Sequence, residues 1–267
     1  MAYHQLTDGR PIYFEHYAGP KTPFVLSHGW GMSSRVWVDV IEQLLRAGHE
    51  VLAVDHRACG QSDRDFDDMS IGALAGDIVD IARARKLRPA IVNGWSLGGA
   101  VAVEAAHRLG KDAAGLILTC AASPRYVQAA DFPYGGVRED VLGMQDAILA
   151  DRAGFFKGLS AGVCAKDVGQ PAIDWMWSIF MDAGPQAIKA MLALADLDQR
   201  SILAGLDIPV LSIIGSEDGV VPPQIGEQAA ACAQHGKLAR FEGCGHAPFI
   251  EDGPGYIKTL LEFAQDV

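Results

Sequence analysis

The stretch Ala90–Gly110, "AIVNGWSLGGAVAVEAAHRLG", constrains this chain more than any other. An apolar run passes through Gly94-Trp95-Ser96-Leu97-Gly98-Gly99 straight into a segment with apolar residues at helical spacing. A buried strand that turns directly into a helix is half of a parallel crossover unit, because parallel neighbours need a long connection between them. The same alternation recurs on both sides. "IYFEHY" reads as an antiparallel strand with its partner in the first few residues, whereas "PFVLSHG", "HEVLAVD", "PAIVNGW" and "AGLILTCA" read as buried strands, apolar throughout rather than alternating. "SRVWVDVIEQLLRAG", "SIGALAGDIVDIARARKL" and "LGGAVAVEAAHRLG" carry helical periodicity between them.

The alternation stops after Ala121. From Ala122 to Asp207 there are helix-compatible segments, "VREDVLGMQDAILADRAGFFKGL", "PAIDWMWSIFMDA" and "PQAIKAMLALAD", but no strong strand. The pattern resumes with "IPVLSIIG", a helix near "PPQIGEQAAACAQ", the strand "GKLARFEG" and a last helix "GYIKTLLEFAQ". The expected fold is α/β, a mostly parallel eight-stranded sheet flanked by helices. Residues 1–121 and 208–267 form its core, and 122–207 form a helical cap inserted between two core strands. Such an insertion sits over the carboxyl ends of the strands, where open α/β sheets bind ligands.

A net charge of −11 opposes a nucleic-acid partner, which needs clustered Lys and Arg, and opposes docking on anionic membranes or acidic proteins. The longest apolar run, around "AAGLILTCAA", is roughly half of a membrane span. "MAYHQLTDGR" lacks the pattern of a secretory signal, and the five cysteines show no paired spacing. Reduced thiols and a cytoplasmic location are expected, with no metal, no organic cofactor and no indicated protein partner.

Ser96 occupies the centre of G-x-S-x-G between a strand and a helix, the context in which a strained turn exposes a nucleophile. A serine hydroxyl needs a base, and the base needs an orienting carboxylate. "IIGSEDGVVPP" offers Asp218 after one strand, with Glu217 as its rival, and "EGCGHAPFIE" offers His246 after the last strand. All three lie at carboxyl ends of strands. The backbone N–H groups of Leu97, just after the serine, and of Trp30, in "SHGWGMSSRVW", are the expected donors to an oxyanion. His28 reads as a buried support for that loop and His56 as structural, whereas His4, His49, His107 and His235 read as solvated. Trp95, Tyr126, Phe132, Trp175 and Trp177 are candidate pocket residues.

With "HGW", "GWSLGG", "GSEDGVVP" and "GCGHAPF" in this order, the chain resembles the α/β-hydrolase superfamily over essentially its full length. "VDHRACGQSDR", "ILADRAGFFKGL" and "DIPVLSIIGSEDGVVP" are similar to cofactor-free haloperoxidases of the aryl esterase type, which are serine esterases with perhydrolase side activity. "HGWG", "GWSLGGAVA" and "GHAPFIE" resemble pimeloyl-carrier-protein methyl ester esterase and certain acyl-homoserine lactonases. Ala58 stands where these relatives usually carry glycine. The resemblance implies a serine hydrolase of small, largely apolar carboxylic esters working through an acyl-enzyme. Lactone hydrolysis, a carrier-protein ester and a ligand-binding receptor on the same scaffold remain the alternatives. Residues 122–207 hold seven Lys and Arg against eleven Asp and Glu, a balance that favours a small neutral substrate over an acidic carrier protein.

Overall fold

In the computed structural model, which describes residues 2–87 and 89–267, each apolar run becomes a strand. The strands are β1 (Ala2–Gln5), β2 (Pro11–Tyr17), β3 (Lys21–Ser27), β4 (His49–Val54), β5 (Ala90–Trp95), β6 (Ala113–Thr119), β7 (Val210–Gly215) and β8 (Gly236–Phe241). They form one eight-stranded sheet in the order β1-β2-β4-β3-β5-β6-β7-β8. The β1–β2 and β2–β4 pairs are antiparallel, and every later pairing is parallel. The chain moves from β3 to β4 on one side and returns to β5 on the other. The order therefore reverses between β3 and β5, where Ser27 lies opposite Gly94. At such a switch point the loops leaving the two strands diverge and open a crevice for ligands.

Three helices follow the early strands: α1 (Val38–Arg46), α2 (Ile71–Ala84) and α3 (Leu97–Leu109). Ser70 starts α2 by accepting a hydrogen bond from Ala73 N–H at 3.2 Å, which satisfies one of the donors a helix start leaves open. Between β6 and β7 come α4 (Arg138–Ala150), α5 (Arg152–Gly162), α6 (Gly169–Asp182), α7 (Ala187–Leu192) and α8 (Arg200–Gly205). The C-terminal part adds α9 (Pro223–Cys232), α10 (Pro248–Glu251) and α11 (Gly253–Phe263). Helix α2 packs on α3, and α1 packs on α11. No helix among the described residues is long and apolar enough to cross a membrane.

Three details differ from the sequence reading. The run "VREDVLGMQDAILADRAGFFKGL" is two helices, broken at Asp151, whose carboxylate caps α5 by accepting from Gly154 N–H at 2.8 Å. Helices α8 and α10 are too short for periodicity to reveal them. His49 is buried, not solvated: it starts β4, bonds the Thr22 carbonyl at 2.8 Å and packs edge-on against Phe24.

Directly beneath the crevice the core is aromatic. Trp95 meets Phe249 edge-to-face at 5.1 Å, and Phe249 meets Trp37 at 4.7 Å. A closed polar triangle adds rigidity there: Asn93 donates to Tyr256 Oη at 2.9 Å, Thr119 donates to Asn93 Oδ1 at 3.0 Å, and Thr119 and Tyr256 hydroxyls meet at 2.8 Å. Each buried polar group in it is satisfied, so the strands that end at the crevice are tied to α11 without a desolvation penalty left open.

Candidate active site

Ser96 alone makes the turn between β5 and α3, with φ 58° and ψ −125°. That conformation costs an L-residue roughly 1–3 kcal/mol and persists only where surrounding bonds fix it. Here Ser96 N–H donates to Thr119 O at 3.0 Å, and Ser96 O accepts from Gly99 N–H and Ala122 N–H, both at 2.9 Å. The flanking glycines are sterically required. A Cβ on Gly94 would lie 2.1 Å from Gly98 O, and one on Gly98 would lie 2.3 Å from His28 O.

Asp218 and His246 come from the loops after β7 and β8. Asp218 Oδ1 accepts from Val220 N–H at 2.8 Å and from Val221 N–H at 2.9 Å, while Oδ2 meets His246 Nδ1 at 2.8 Å. Both residues are buried, and the neighbouring Glu217 is exposed. The position of the imidazole is fixed by its backbone: His246 N–H donates to Val163 O at 2.8 Å, and His246 O accepts from Trp95 Nε1 at 2.7 Å. The adjacent Gly245 N–H donates to Glu251, whose Oε1 also accepts from Ala165 and Lys166 N–H at 2.8 and 2.9 Å. Glu251 was not singled out in the sequence. It sits five positions beyond His246, within "GHAPFIE", with no spacing rule to mark it.

Ser96 and His246 line one narrow cavity, with about 70 Å³ of free volume. No hydrogen bond joins their side chains here, and such bonds are often open before substrate arrives. Trp30, Trp95 and Tyr126 line the same cavity, with Met144, Phe155, Leu159, Val163, Phe180 and Met191 supplied by the segment between β6 and β7. Three candidates lie elsewhere. Phe132 is buried edge-to-face against Tyr134, under the Arg200 guanidinium. Trp175 faces an outer groove beside α11, and Trp177 donates to Ala153 O at 3.1 Å with Lys157 over its ring. Sequence spacing put aromatics in this segment, but which helix face turns inward is decided by packing.

The loop after β3 is held by two buried histidines. His56 N–H donates to His28 Nε2 at 2.9 Å, so His28 carries its proton on Nδ1 and donates it to Gly29 O at 2.7 Å. His56 Nε2 meets Ser27 Oγ at 3.0 Å. Burial pushes His28 well below the ordinary histidine range and His56 down to about 4, so both are neutral at pH 7. This pair fixes Gly29, which lines the cavity beside Trp30. Trp30 N–H and Leu97 N–H meet no acceptor among the described residues. Leu97, the first residue of α3, is one of the positions whose N–H a helix leaves open.

The chain matches the alpha/beta hydrolase fold family over residues 22–253. It is 30% identical to the pimeloyl-[acyl-carrier protein] methyl ester esterase of Vibrio cholerae, over 92% of this chain and 96% of that one. It is 27% identical to the bifunctional esterase/perhydrolase DCH of Acinetobacter calcoaceticus, over 98% and 99% of the two chains. The esterase EaEST from Exiguobacterium antarcticum has the same architecture, with a TM-score of 0.94 at 28% identity over 98% of each chain. Sheet order, the Ser96 turn and the span of the match agree: the chain belongs to the alpha/beta hydrolase fold family.

Proposed function

We propose that this protein is a serine esterase of small, largely apolar carboxylic esters, with Ser96 as nucleophile, His246 as base and Asp218 as its orienting acid. The observation that carries the reading is the buried 2.8 Å Asp218–His246 contact beside a cavity that also holds Ser96. With Nδ1–H given to Asp218, Nε2 is free to take the Ser96 proton as Oγ attacks the ester carbonyl. The N–H groups of Trp30 and Leu97 receive the oxyanion, each worth about 3–4 kcal/mol of transition-state stabilisation. His246 then protonates the departing alcohol. A water deprotonated by the same imidazole cleaves the acyl-enzyme and restores Ser96. Hydrogen peroxide in place of that water yields a peracid, the side reaction that similarity to an esterase/perhydrolase suggests.

In this reading residues 122–207 cap the site, and their chemistry selects against an acidic carrier. Arg125, Arg138, Lys157 and Arg200 are already paired with Asp198, Asp196, Asp174 and Asp131, which leaves little positive surface for docking. The narrow apolar cavity favours a short, uncharged acyl group. Hydrolysis of p-nitrophenyl acetate by wild type and Ser96→Ala tests the assignment. A loss of about 10³-fold or more is expected; undiminished turnover in the variant, or single labelling without turnover in the wild type, rejects it.

A further inference from the structure

Cys120 has no part in this cycle, yet it stands against its centre. It follows β6 with φ 41°, is 2% exposed, and is weakly held, its contact to Gly245 O spanning 3.8 Å. Its Sγ, a carboxylate oxygen of Asp218 and an imidazole nitrogen of His246 lie within 4.8 Å of one another, all three residues buried. We propose that these side chains form a binding site for a thiophilic divalent cation, Zn²⁺ or Cd²⁺, whose occupancy silences the enzyme.

The donor set decides the ion. Thiolate, imidazole and carboxylate together suit zinc-like ions, whereas magnesium and calcium prefer oxygen alone. Charge balance points the same way: one thiolate and one carboxylate neutralise a divalent ion, so the buried cluster carries no net charge. On binding, Cys120 releases its thiol proton to solvent. The ion replaces the proton between His246 Nδ1 and Asp218, and that proton is retained on Nε2. One proton leaves per ion bound. Zinc–ligand distances of about 2.0–2.2 Å for nitrogen and oxygen require only a modest spreading of the 2.8 Å pair. An imidazole metallated on Nδ1 and protonated on Nε2 cannot accept the Ser96 proton. The effect on turnover rests on the esterase reading, whereas binding of the ion does not.

The test titrates the full-length protein with Cd²⁺, following thiolate-to-metal absorbance in the ultraviolet, and with Zn²⁺ during p-nitrophenyl acetate hydrolysis, with EDTA added afterwards. Cys120→Ala and Cys120→Gly are run beside wild type, glycine being the residue that a φ of 41° suits. Wild type is expected to bind one Cd²⁺ with a thiolate band. Its turnover falls about a hundredfold or more at saturating Zn²⁺, the general base being lost, and returns with EDTA. Both variants lack the band and keep their own turnover at the same Zn²⁺. Absence of the band in wild type overturns the proposal even if neither variant folds, and so does a variant that keeps the band or is inhibited as strongly as wild type. Should no ester be hydrolysed at all, the Cd²⁺ band still decides the site, separating its failure from that of the esterase reading.

Discussion

The Glu251 carboxylate holds Gly245, the residue before His246, through contacts from one N–H to both of its oxygens at 2.9 and 2.8 Å. The same Oε1 receives Ala165 and Lys166 from the segment between α5 and α6, so one side chain fastens the histidine loop to the inserted helices. Glu251→Gln presents an amide N–H₂ to donors that need an acceptor. The expected cost is roughly 1–3 kcal/mol of stability, read by urea unfolding. Because the loop carries His246, kcat falls more than KM rises; equal kcat in the variant rejects this coupling.

Met144 lines the cavity from α4 and is only half-buried, so its truncation frees space without opening the core. Met144→Ala is expected to raise kcat/KM for p-nitrophenyl hexanoate relative to acetate by about tenfold, the worth of a methylene or two in an apolar pocket. An unchanged ratio means the acyl chain leaves the cavity by another wall.

His28 and His56 make the fold acid-labile. Both have folded pKa values below the free value of 6.5, because burial disfavours the charged ring. The unfolded chain therefore binds more protons than the folded one below about pH 6.5. The stabilisation is complete above that pH and is lost as pH falls toward the folded values, about 4 for His56. Each histidine contributes a slope approaching about 1.4 kcal/mol per pH unit inside the window. Asp55 and Asp77, raised chiefly by burial, oppose this trend: their contribution is present below the usual Asp value and fades as pH rises through their folded values. Urea unfolding between pH 7 and pH 5 measures the net slope, and His56→Gln is expected to flatten it by one histidine's share.

Ala58 has φ 59°, a left-handed conformation that glycine adopts freely. Its carbonyl accepts from Gly184 N–H at 2.7 Å, so the strain lies where the core loop meets the inserted segment. This backbone suits the glycine that the resemblance leads one to expect at that position. Ala58→Gly removes roughly 1 kcal/mol of strain, partly offset by the greater freedom of glycine in the unfolded chain. A rise in Tm of roughly 1–3 °C is expected by thermal unfolding; a fall means that the packed methyl matters more than the backbone.

The core was legible because the central parallel strands β5, β6 and β7 are buried on both faces and read as largely apolar runs, as in "PAIVNGW" and "AGLILTCA", whereas β8 at the edge is mostly exposed. Ser96, Asp218 and His246 were expected together because each follows a strand, and topology brings the carboxyl ends of β5, β7 and β8 to one edge of the sheet. The cavity wall was harder. Trp175 and Trp177 flank Met176 in the sequence, and Met176 is buried while the two tryptophans face an outer groove and Lys157. Periodicity says that a helix has an inner face but not which ligand-binding space that face adjoins. Glu251 and Cys120 escaped for another reason: their partners are backbone amides and side chains brought near by three different loops.

The bond from His246 N–H to the Val163 carbonyl ties the proposed base to a cavity wall that Val163 helps to form. Any displacement of that wall strains this tether and carries the imidazole with it. In the proposed cycle, a guest that pushes this wall outward loses alignment for proton transfer as well as room for its atoms.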